Sequence, residues 1–326
     1  MFDIITFGSA TWDVFVRPKN FEVLKNRKFI TGKGICFNLG SKIDVENVYF
    51  SSGGGGTNAA ATFAKQGFKV AYCGRVGNDV SGREIIEELK NLGIDCQFVL
   101  KTKLKPTNYS VVLTGQNIDR TILGYRGASE NLTEKNIPYE KLSANWFYIA
   151  PPSEKTFVLT KNIVDFAQKN RVKIAFNPSI CQLSLAEKTL KRILKKINIL
   201  ILNQEEASLL TNIEYNKEKE IFKKIDEMCP GIAIMTKGPE GVVVSDGKEL
   251  YQAKILKVKV VDRTGAGDSF GSGFVSGFIR TGGNIEYSIQ LGIANSASCL
   301  QKWGAKNGLL KEGDEFEKVK VIKKRL

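Results

Sequence analysis

The stretch Val261-Asp-Arg-Thr-Gly-Ala-Gly-Asp-Ser-Phe-Gly-Ser-Gly-Phe274 joins a glycine turn to the start of a long helix. The apolar run Leu256–Val260 before it predicts a short strand, and Gly265–Arg280 predicts the helix. In such a unit the first helical turn offers unpaired backbone N–H groups and the positive end of the helix dipole, which together bind anions. Because Asp268 falls in that first turn, the segment predicts a carboxylate beside a phosphate site.

A structural explanation of the same residues competes with this prediction. Asp268 would then be an ordinary acid at a helix N-terminus, and the glycines would serve only the turn. The helix, however, continues with small residues at Gly271, Ser272 and Gly273, which lower helix propensity. Their presence indicates a close approach of another group on that face and favours a functional site.

Beyond this segment, strand-like apolar runs alternate with segments of helical period, the pattern of a mostly parallel sheet covered by helices. The predicted strands are Asp3–Phe7, Lys69–Arg75, Trp146–Ile149, Lys173–Phe176, Ile197–Leu202 and Ile232–Thr236. The predicted helices are Thr57–Gln66, Val80–Leu92, Thr156–Lys169, Leu185–Lys196, Lys217–Met228, Gly265–Arg280 and Ile285–Gln301. Since no repeats or low-complexity linkers occur, we expect a single α/β domain over residues 1–326.

Three segments, at about 12–17, 33–50 and 107–125, interrupt the alternation with the period-2 pattern of antiparallel strands. They predict a small β lid inserted at the edge of the main domain. A lid over the strand ends would exclude water from a site.

Composition excludes several kinds of chemistry. The 326 residues include no histidine, so Ser-His-Asp and Cys-His nucleophiles and His-ligated zinc or haem are excluded. Six cysteines without CxxC spacing, no leader-like N-terminus and no apolar run of about 18 residues predict a cytoplasmic protein with no membrane partner.

The net charge of +14 suggests nucleic-acid binding, but the basic residues are spread along the chain. Solvated helix faces explain the densest groups, at 188–196 and 318–325, better than a nucleic-acid partner does. A positive surface would still attract nucleotides.

A second glycine stretch, Ser51-Ser-Gly-Gly-Gly-Gly-Thr-Asn-Ala-Ala-Ala61, lies between a lid strand and a helix. It is not a Walker A loop, because no Gly-Lys-Ser/Thr follows. It fits a loose GxGxxA pattern with Asp79 downstream, so a dinucleotide site must be considered. That interpretation is disfavoured because the glycines do not follow the first core strand.

Together the two glycine stretches resemble the N- and C-terminal motifs of the ribokinase-like (PfkB) family of carbohydrate and nucleoside kinases. The resemblance covers nearly the whole chain and implies a ribokinase-like three-layer α/β fold with a small β lid. Further matches occur in family order at Gly8–Asp13, Gly74–Gly82, Asn203–Glu206, Thr236–Gly241 and Gly304–Ala305.

The resemblance implies a phosphotransferase that moves the γ-phosphate of Mg-ATP to a hydroxymethyl or hydroxyl group of a small sugar or nucleoside. Asp268 matches the catalytic base of the family. Gly265, Ala266 and Gly267 match its anion hole, whose N–H groups stabilise the transferring phosphoryl group.

The resemblance also implies a nucleotide site. Asn203 and Glu206 match an NxxE element that positions Mg²⁺ and phosphate through water; alone, they would be read as a helix N-terminus with surface acids. The remaining matches are the nucleotide-binding residues Thr236, Gly238 and Gly241, Asn295 on the helix beside the adenine, and Asp262 at a monovalent-cation site. K⁺ is thus a further candidate cofactor, although Arg263 stands where the family often has Thr.

On the substrate side, Asp13 matches a carboxylate that binds sugar hydroxyls, with a strand-end acid in solvent as the alternative. Asn58, Gly54 and Gly55 match the second set of contacts. Arg126 is a candidate for a sugar or acidic group, with an exposed loop arginine as the alternative.

The substrate stays open between several sugars and nucleosides. Family members that phosphorylate ribose often have Lys where this chain has Gly55, and an acid where it reads Ala150-Pro-Pro152. Both departures disfavour ribose and leave room for a nucleoside, a ketohexose or a ketoacid sugar. A catalytically silent family member and a nucleic-acid-binding protein are the alternatives from other classes.

The lid also predicts an assembly. A small sheet with one apolar face left uncovered favours pairing with a second copy. The alternation in 33–50 assigns Ile35, Phe37 and Leu39 to that face, with Val45 and Val48 beyond a polar turn. We therefore expect a homodimer through the lid, unless the segment 19–30 covers that face.

Overall fold

A ten-stranded, mostly parallel sheet forms the centre of the protein, in a computed structural model that describes residues 1–29, 32–115, 120–150, 157–183 and 187–326. The strands are β1 (Phe2–Phe7), β2 (Thr11–Pro18), β3 (Glu22–Lys25), β4 (Lys33–Cys36), β5 (Val45–Gly53), β6 (Val70–Gly77), β7 (Val99–Thr102), β8 (Asn108–Leu113), β9 (Thr121–Tyr125), β10 (Ala144–Ile149), β11 (Lys173–Phe176), β12 (Ile199–Asn203), β13 (Ile232–Thr236), β14 (Val242–Ser245), β15 (Glu249–Ala253) and β16 (Val321–Arg325). The order in the main sheet is β16-β15-β14-β13-β12-β11-β10-β1-β6-β7. The strands from β13 to β7 are parallel, and β14, β15 and β16 extend the sheet antiparallel.

Helices cover both faces of this sheet. They are α1 (Gly55–Lys65), α2 (Val80–Asn91), α3 (Phe157–Lys169), α4 (Ile180–Leu183), α5 (Glu187–Leu194), α6 (Gln204–Thr211), α7 (Glu218–Met228), α8 (Ala266–Arg280) and α9 (Ile285–Cys299), with 3₁₀ turns at Ala128–Asn131, Glu134–Asn136, Tyr139–Lys141 and Gly238–Glu240. Alternate residues of β1 enter different cores: Ile5 and Phe7 pack with α3, α5 and α7, and Ile4 packs with α1, α2, α8 and α9. The three-layer α/β prediction is confirmed.

A separate four-stranded sheet, with the order β5-β2-β8-β9, is called the lid sheet below. Asp13 pairs with Ser51 on one side and with Ser110 on the other, so these three residues share one face. The described residues at 12–17 and in most of 107–125 lie in this sheet as expected, while 116–119 lie outside the described residues.

The predicted lid segment 33–50 divides into two parts, so its bounds were wrong. Lys33–Cys36 pairs with Glu22–Lys25 in a two-stranded hairpin, and only Val45–Gly53 joins the lid sheet. The polar turn around Ser41 separates the two parts. Gly34 makes the hairpin compact, because a Cβ there would lie 2.6 Å from the Phe29 ring. The proposed cover 19–30 contains the first hairpin strand, and Ile30 lies outside the described residues.

Two further predictions fail at the edge of the main sheet. Leu256–Val260 is not a strand: β15 ends at Ala253, and the chain then runs to Val261, whose N–H donates to the Leu300 carbonyl at 2.8 Å. The basic tail is not a helix face, because β16 pairs with β15 as an edge strand. Lysine and arginine on an edge strand oppose pairing with other molecules.

Candidate active site

The glycine turn before α8 has the geometry of an anion site. Gly265 caps the helix with φ 77° and ψ 3°, a left-handed conformation, and a Cβ there would lie 2.4 Å from the Ala305 methyl group. Only glycine fits this position without strain. A Cβ at Gly267, by contrast, would meet no described atom within 4 Å, so the backbone there is open to a ligand.

Asp268 lies in the first turn of α8, half-buried, and contacts a residue of the other glycine stretch. The Asn58 amide donates from Nδ2 to Asp268 Oδ2 at 2.8 Å. Burial raises the pKa of the Asp268 carboxyl, opposed by this hydrogen bond and by the charge of Lys306. Among the described residues, Asn58 Oδ1 is buried and has no hydrogen-bond partner. An acceptor of this kind beside a carboxylate suits a substrate hydroxyl.

Close glycine contacts place Asn58 against Asp268. A Cβ at Gly8 would lie 2.8 Å from the Gly56 nitrogen, so the loop after β1 and the start of α1 cross backbone to backbone. Gly54 has φ 98°, and a Cβ there would lie 2.4 Å from the Ser9 carbonyl oxygen. Gly55 begins α1, so the matched residues Gly54, Gly55 and Asn58 form one connected turn.

Asp13 is buried on the same side of the molecule. Burial raises the pKa of its carboxyl to about 6, and the negative charges of Asp262 and Asp268 act in the same direction. A hydrogen bond from Ser110 and the charge of Lys306 oppose the rise. A Cβ at Gly53 would lie 2.0 Å from Asp13 Oδ2, so the carboxylate fits there only because residue 53 has no side chain. The alternative, a strand-end acid in solvent, is wrong because the residue is only 7% exposed.

Lys306 is a residue of the site that sequence reasoning missed. Its side chain is 3% exposed, and its ammonium contacts the Ser52 hydroxyl and lies 3.6 Å from Glu88 Oε2. Burial lowers the pKa of Lys306, while Glu88, Asp13 and Asp268 oppose that effect. It follows directly on the Gly304–Ala305 match, which was the available signal.

The matched nucleotide residues lie at the carboxyl ends of neighbouring strands. Asn203 ends β12 and pairs in register with Thr236, which ends β13. Asn203 and Glu206 form a capping box at α6: Asn203 Oδ1 accepts from the Glu206 N–H, and Glu206 Oε2 accepts from the Asn203 N–H, both at 2.8 Å. Burial raises the pKa of the Glu206 carboxyl.

The two matched glycines after β13 differ in their surroundings. Gly238 has φ 53°, and a Cβ there would meet no described atom within 4 Å, so its backbone is accessible. Gly241 has φ 105°, and a Cβ there would lie 2.1 Å from the Ala253 carbonyl oxygen. Gly241 therefore shapes the turn between β13 and β14, and Gly238 is the one open to a ligand.

Asn295 does not face a ligand, and its prediction is corrected. The side chain is fully buried between α8, α9 and the C-terminal segment. Its Nδ2 donates to the Ser269 carbonyl at 2.8 Å, and its Oδ1 accepts from the Leu310 N–H at 2.9 Å. Because the amide is satisfied within the protein, the residue packs the helices together.

Asp262 joins two loops at the anion site. Its Oδ1 accepts from the Thr264 N–H at 3.0 Å and from the Thr264 hydroxyl at 2.9 Å. Its Oδ2 accepts from the Gly304 N–H at 3.1 Å. Both oxygens thus hold the backbone around Gly265 and Ala305. Arg126, by comparison, is exposed at the end of β9, where the lid sheet meets the main domain.

The described part of the chain has no group of three or more Cys, Asp or Glu side chains placed to hold a metal ion. Mg²⁺ keeps most of its water shell and is bound largely through substrate phosphates, with one or two protein carboxylates. Glu206 fits such a role because its Oε2 is fixed by the capping box beside the open Gly238 side of the sheet. No described helix combines the length and apolar composition needed to cross a membrane.

Comparison with known proteins identifies the family. Residues 29–312 match the sequence profile described as pfkB family carbohydrate kinase. The chain belongs to the pfkB family. It is 28% identical over 292 residues to a ribokinase of Lactococcus lactis, covering 87% of this chain and 91% of the ribokinase.

Two further proteins to which the chain is similar are named as a cytidine kinase and a nucleoside kinase. The chain is 28% identical over 257 residues to a cytidine kinase of Thermococcus kodakarensis, covering 77% of this chain and 88% of that kinase. The solved structure of a Methanocaldococcus jannaschii nucleoside kinase superposes with a TM-score of 0.75 at 21% identity, over 94% of this chain and 95% of that one. The predicted family, fold and kinase class are confirmed, and the family implies ATP as co-substrate, typically with Mg²⁺.

Proposed function

We propose that this kinase transfers the γ-phosphate of Mg-ATP to a hydroxyl or hydroxymethyl group of a small sugar or nucleoside. Asp268 is the base, and the α8 N-terminus formed by Gly265, Ala266 and Gly267 is the anion hole. The observation that carries the proposal is the contact between Asn58 and Asp268 at 2.8 Å, beside the open N-terminus of α8.

The substrate hydroxyl is held between these residues. Asn58 fixes the Asp268 carboxylate by its Nδ2 donor and offers its unpartnered Oδ1 to the substrate. Asp268 accepts the hydroxyl proton as the oxygen attacks the γ-phosphorus and the bond from that phosphorus to the bridging oxygen breaks, so that ADP leaves with the electron pair, while N–H groups of α8 bind the transferring phosphoryl oxygens. Asp13 accepts hydrogen bonds from other hydroxyls of the same substrate and orients it. Arg126 remains a proposed substrate contact at the lid base.

ATP lies along the other side of α8 in this proposal. Asn203, Thr236 and the backbone of Gly238 bind the nucleotide, and Mg²⁺ supplies charge neutralisation of the phosphates when bound. Glu206, fixed in the capping box, would hold the ion through water. Asn295 is not part of the proposed nucleotide site, because its amide group makes its hydrogen bonds inside the protein.

The test is Asp268→Asn, with Glu286→Gln as a matched control. Glu286 is an exposed acid in the first turn of α9. Like Asp268 it lies near the positive end of a helix dipole, but it is not part of the candidate active site. We expect Asp268→Asn to lower kcat by about 10²–10⁴-fold with ATP affinity nearly unchanged. Glu286→Gln should retain full activity. Equal turnover of the wild type and Asp268→Asn on the best substrate of a sugar and nucleoside panel would refute the assignment of the base.

The lid sheet also supports the predicted homodimer, with different residues from those first assigned. On the face opposite Asp13, Phe50 and Leu123 are 62% and 58% exposed, and Val48 lies beside them. An apolar sheet face of this kind is covered most simply by a second copy. We also propose that the kinase works in the cytoplasm and without a nucleic-acid partner: none of its six cysteines, all within the described residues, forms a disulfide, and the basic tail is an edge strand.

A further inference from the structure

The face of the lid sheet that carries Asp13 is banded along its strands. Asp13, Phe15 and Arg17 alternate on this face of β2. The paired strands continue each band: Ser51 and Ser110 flank Asp13, Tyr49 and Val112 flank Phe15, and Asn47 pairs with Arg17. A polar band for hydroxyl groups is therefore followed by an aromatic band and then by a second polar band.

The aromatic band borders a cavity of about 160 Å³. Its lining residues are Phe15, Arg17, Asn47, Tyr49, Thr114 and Trp303. The Trp303 ring stacks on Tyr49 with centroids 4.9 Å apart and an interplanar angle of 14°, and meets Phe15 edge-on at 5.7 Å. A cavity of about 150 Å³ accepts one six-membered aromatic ring, so this one has the size for a planar ring placed beside the stacked pair.

The spacing relates the cavity to the substrate position. Residues two apart on a strand are separated by about 6.7 Å, so Phe15 begins about one sugar ring beyond Asp13, and Arg17 lies about 13 Å away. A sugar whose hydroxyls bind Asp13 reaches this cavity only through a substituent. An unsubstituted monosaccharide would leave the cavity beside the aromatic band empty.

The far polar band provides hydrogen-bonding groups for the edge of such a ring. Asn47 offers both an amide donor and a carbonyl acceptor, and Thr114 offers a hydroxyl. Arg17 is held in place by its Nε, which lies 2.8 Å from Glu46 Oε2. Stacking faces with a hydrogen-bonding edge beyond them are the means by which proteins bind nucleobases.

From this arrangement we infer that the acceptor substrate is a nucleoside, whose sugar binds Asp13 and whose base occupies the cavity beside the Tyr49–Trp303 stack, with Asn47 and Thr114 at its edge. The inference rests on the proposed function, since it assigns the substrate class of the same site.

The first experiment compares substrates. ATP consumption with Mg²⁺ is measured for cytidine, uridine, adenosine and inosine against ribose, fructose and ketodeoxygluconate. We expect at least one nucleoside to exceed every free sugar by tenfold or more in kcat/KM. A free sugar that equals or exceeds all four nucleosides would overturn the inference but support the kinase proposal. No turnover of any compound would count against both, and calorimetric binding of the nucleosides, without ATP, then tests the cavity by itself.

The second experiment tests the cavity with variants. Asn47→Ala and Trp303→Ala should raise the KM for the best nucleoside about tenfold, the scale of one lost base contact, with little change in kcat. Trp303→Phe should restore most of the affinity, because it keeps a stacking face. Val48→Ala is the matched control, since Val48 lies between Asn47 and Tyr49 but on the opposite face. Equal effects of Asn47→Ala and Val48→Ala on nucleoside KM would overturn the assignment of this face.

Discussion

Replacing Asp13 with Asn should stabilise the protein while it impairs the kinase. The Asp13 carboxyl has a pKa of about 6 in the folded chain against 3.8 for the free residue, with burial as the main cause. A group whose pKa is raised on folding favours the folded state at low pH and disfavours it progressively as pH rises from 3.8 to 6. Above that interval, the folded state carries the full cost of a buried charge.

The magnitude follows from the shift. The difference of 2.2 units between 3.8 and about 6 corresponds to about 3 kcal/mol at pH 7.5. Asn carries no charge at any pH, so Asp13→Asn should gain about 3 kcal/mol in unfolding free energy at pH 7.5, about 1.6 at pH 5 and about 0.6 at pH 4. An asparagine at this position would offer the substrate one neutral acceptor oxygen and an N–H donor in place of two charged acceptor oxygens, so kcat/KM should fall by about 10²-fold.

The assay is urea unfolding at these three pH values, beside kinetics at pH 7.5. Asp44→Asn is the control, because Asp44 is exposed and its replacement should change stability by less than about 0.5 kcal/mol. A variant no more stable than the wild type at pH 7.5, or a gain that does not shrink toward pH 4, would refute the reasoning. The wild-type kcat/KM should also fall about tenfold between pH 7 and pH 5, as a group with a pKa of about 6 becomes protonated.

Other predictions concern the anion site, the buried lysine, the monovalent cation and the dimer. Gly267→Ala should leave thermal stability equal or higher, because alanine favours a helix and meets no described atom within 4 Å; it should still lower kcat, as the methyl group occupies the phosphoryl position, and undiminished kcat would argue against the anion hole. Lys306→Met should shift the acidic limb of the kcat/KM profile to higher pH, because its charge opposes the raised pKa values of Asp13 and Asp268; the exposed Lys302→Met on the same loop serves as control, and identical profiles would reject this role. Replacing K⁺ with tetramethylammonium should change kcat by less than about twofold, since Asp262 already joins its two loops by direct hydrogen bonds; a larger loss would restore the cation site. Light scattering should report about twice the chain mass of 36.1 kDa, and Phe50→Asp should return it to one chain; a wild-type monomer would exclude the dimer.

The sequence was most informative where local pattern and tertiary role agree. The parallel strands β1, β6, β10, β11, β12 and β13 are largely buried on both faces, so they are continuous apolar runs that stand out between helices. None of the antiparallel strands β14, β15 and β16 was predicted. The edge strand β16 is mostly exposed and carries lysines, so it lacks the continuous apolar run of a buried strand. The missed β7 is the other edge strand and is only partly buried.

The lid boundaries depended on pairing that the sequence does not encode locally. Lys33–Cys36 and Val45–Gly53 have similar alternation, yet the first pairs with a neighbouring hairpin strand and the second with β2. Which partner a strand chooses depends on the turn between the segments and on the bulge at Pro18, where the pairing register shifts. Period-2 patterning alone predicts a strand but does not predict which strand pairs with it.

Some residues of the site are marked in the sequence by a motif with a special backbone conformation, and others are not. Gly265 and Gly54 are visible in the sequence because their backbone conformations require glycine, and Asp268 is fixed by its distance from that turn. Lys306 has no such motif, since a lysine in a C-terminal loop is usually exposed. Its burial follows only from the fold, which packs Ala305 against Gly265 and so carries the next residue beneath the lid strand at Ser52. The ammonium then lies among Glu88, Asp13 and Asp268, where its charge offsets the repulsion between the two site carboxylates. That makes it the charge most closely coupled to both the substrate carboxylate and the base.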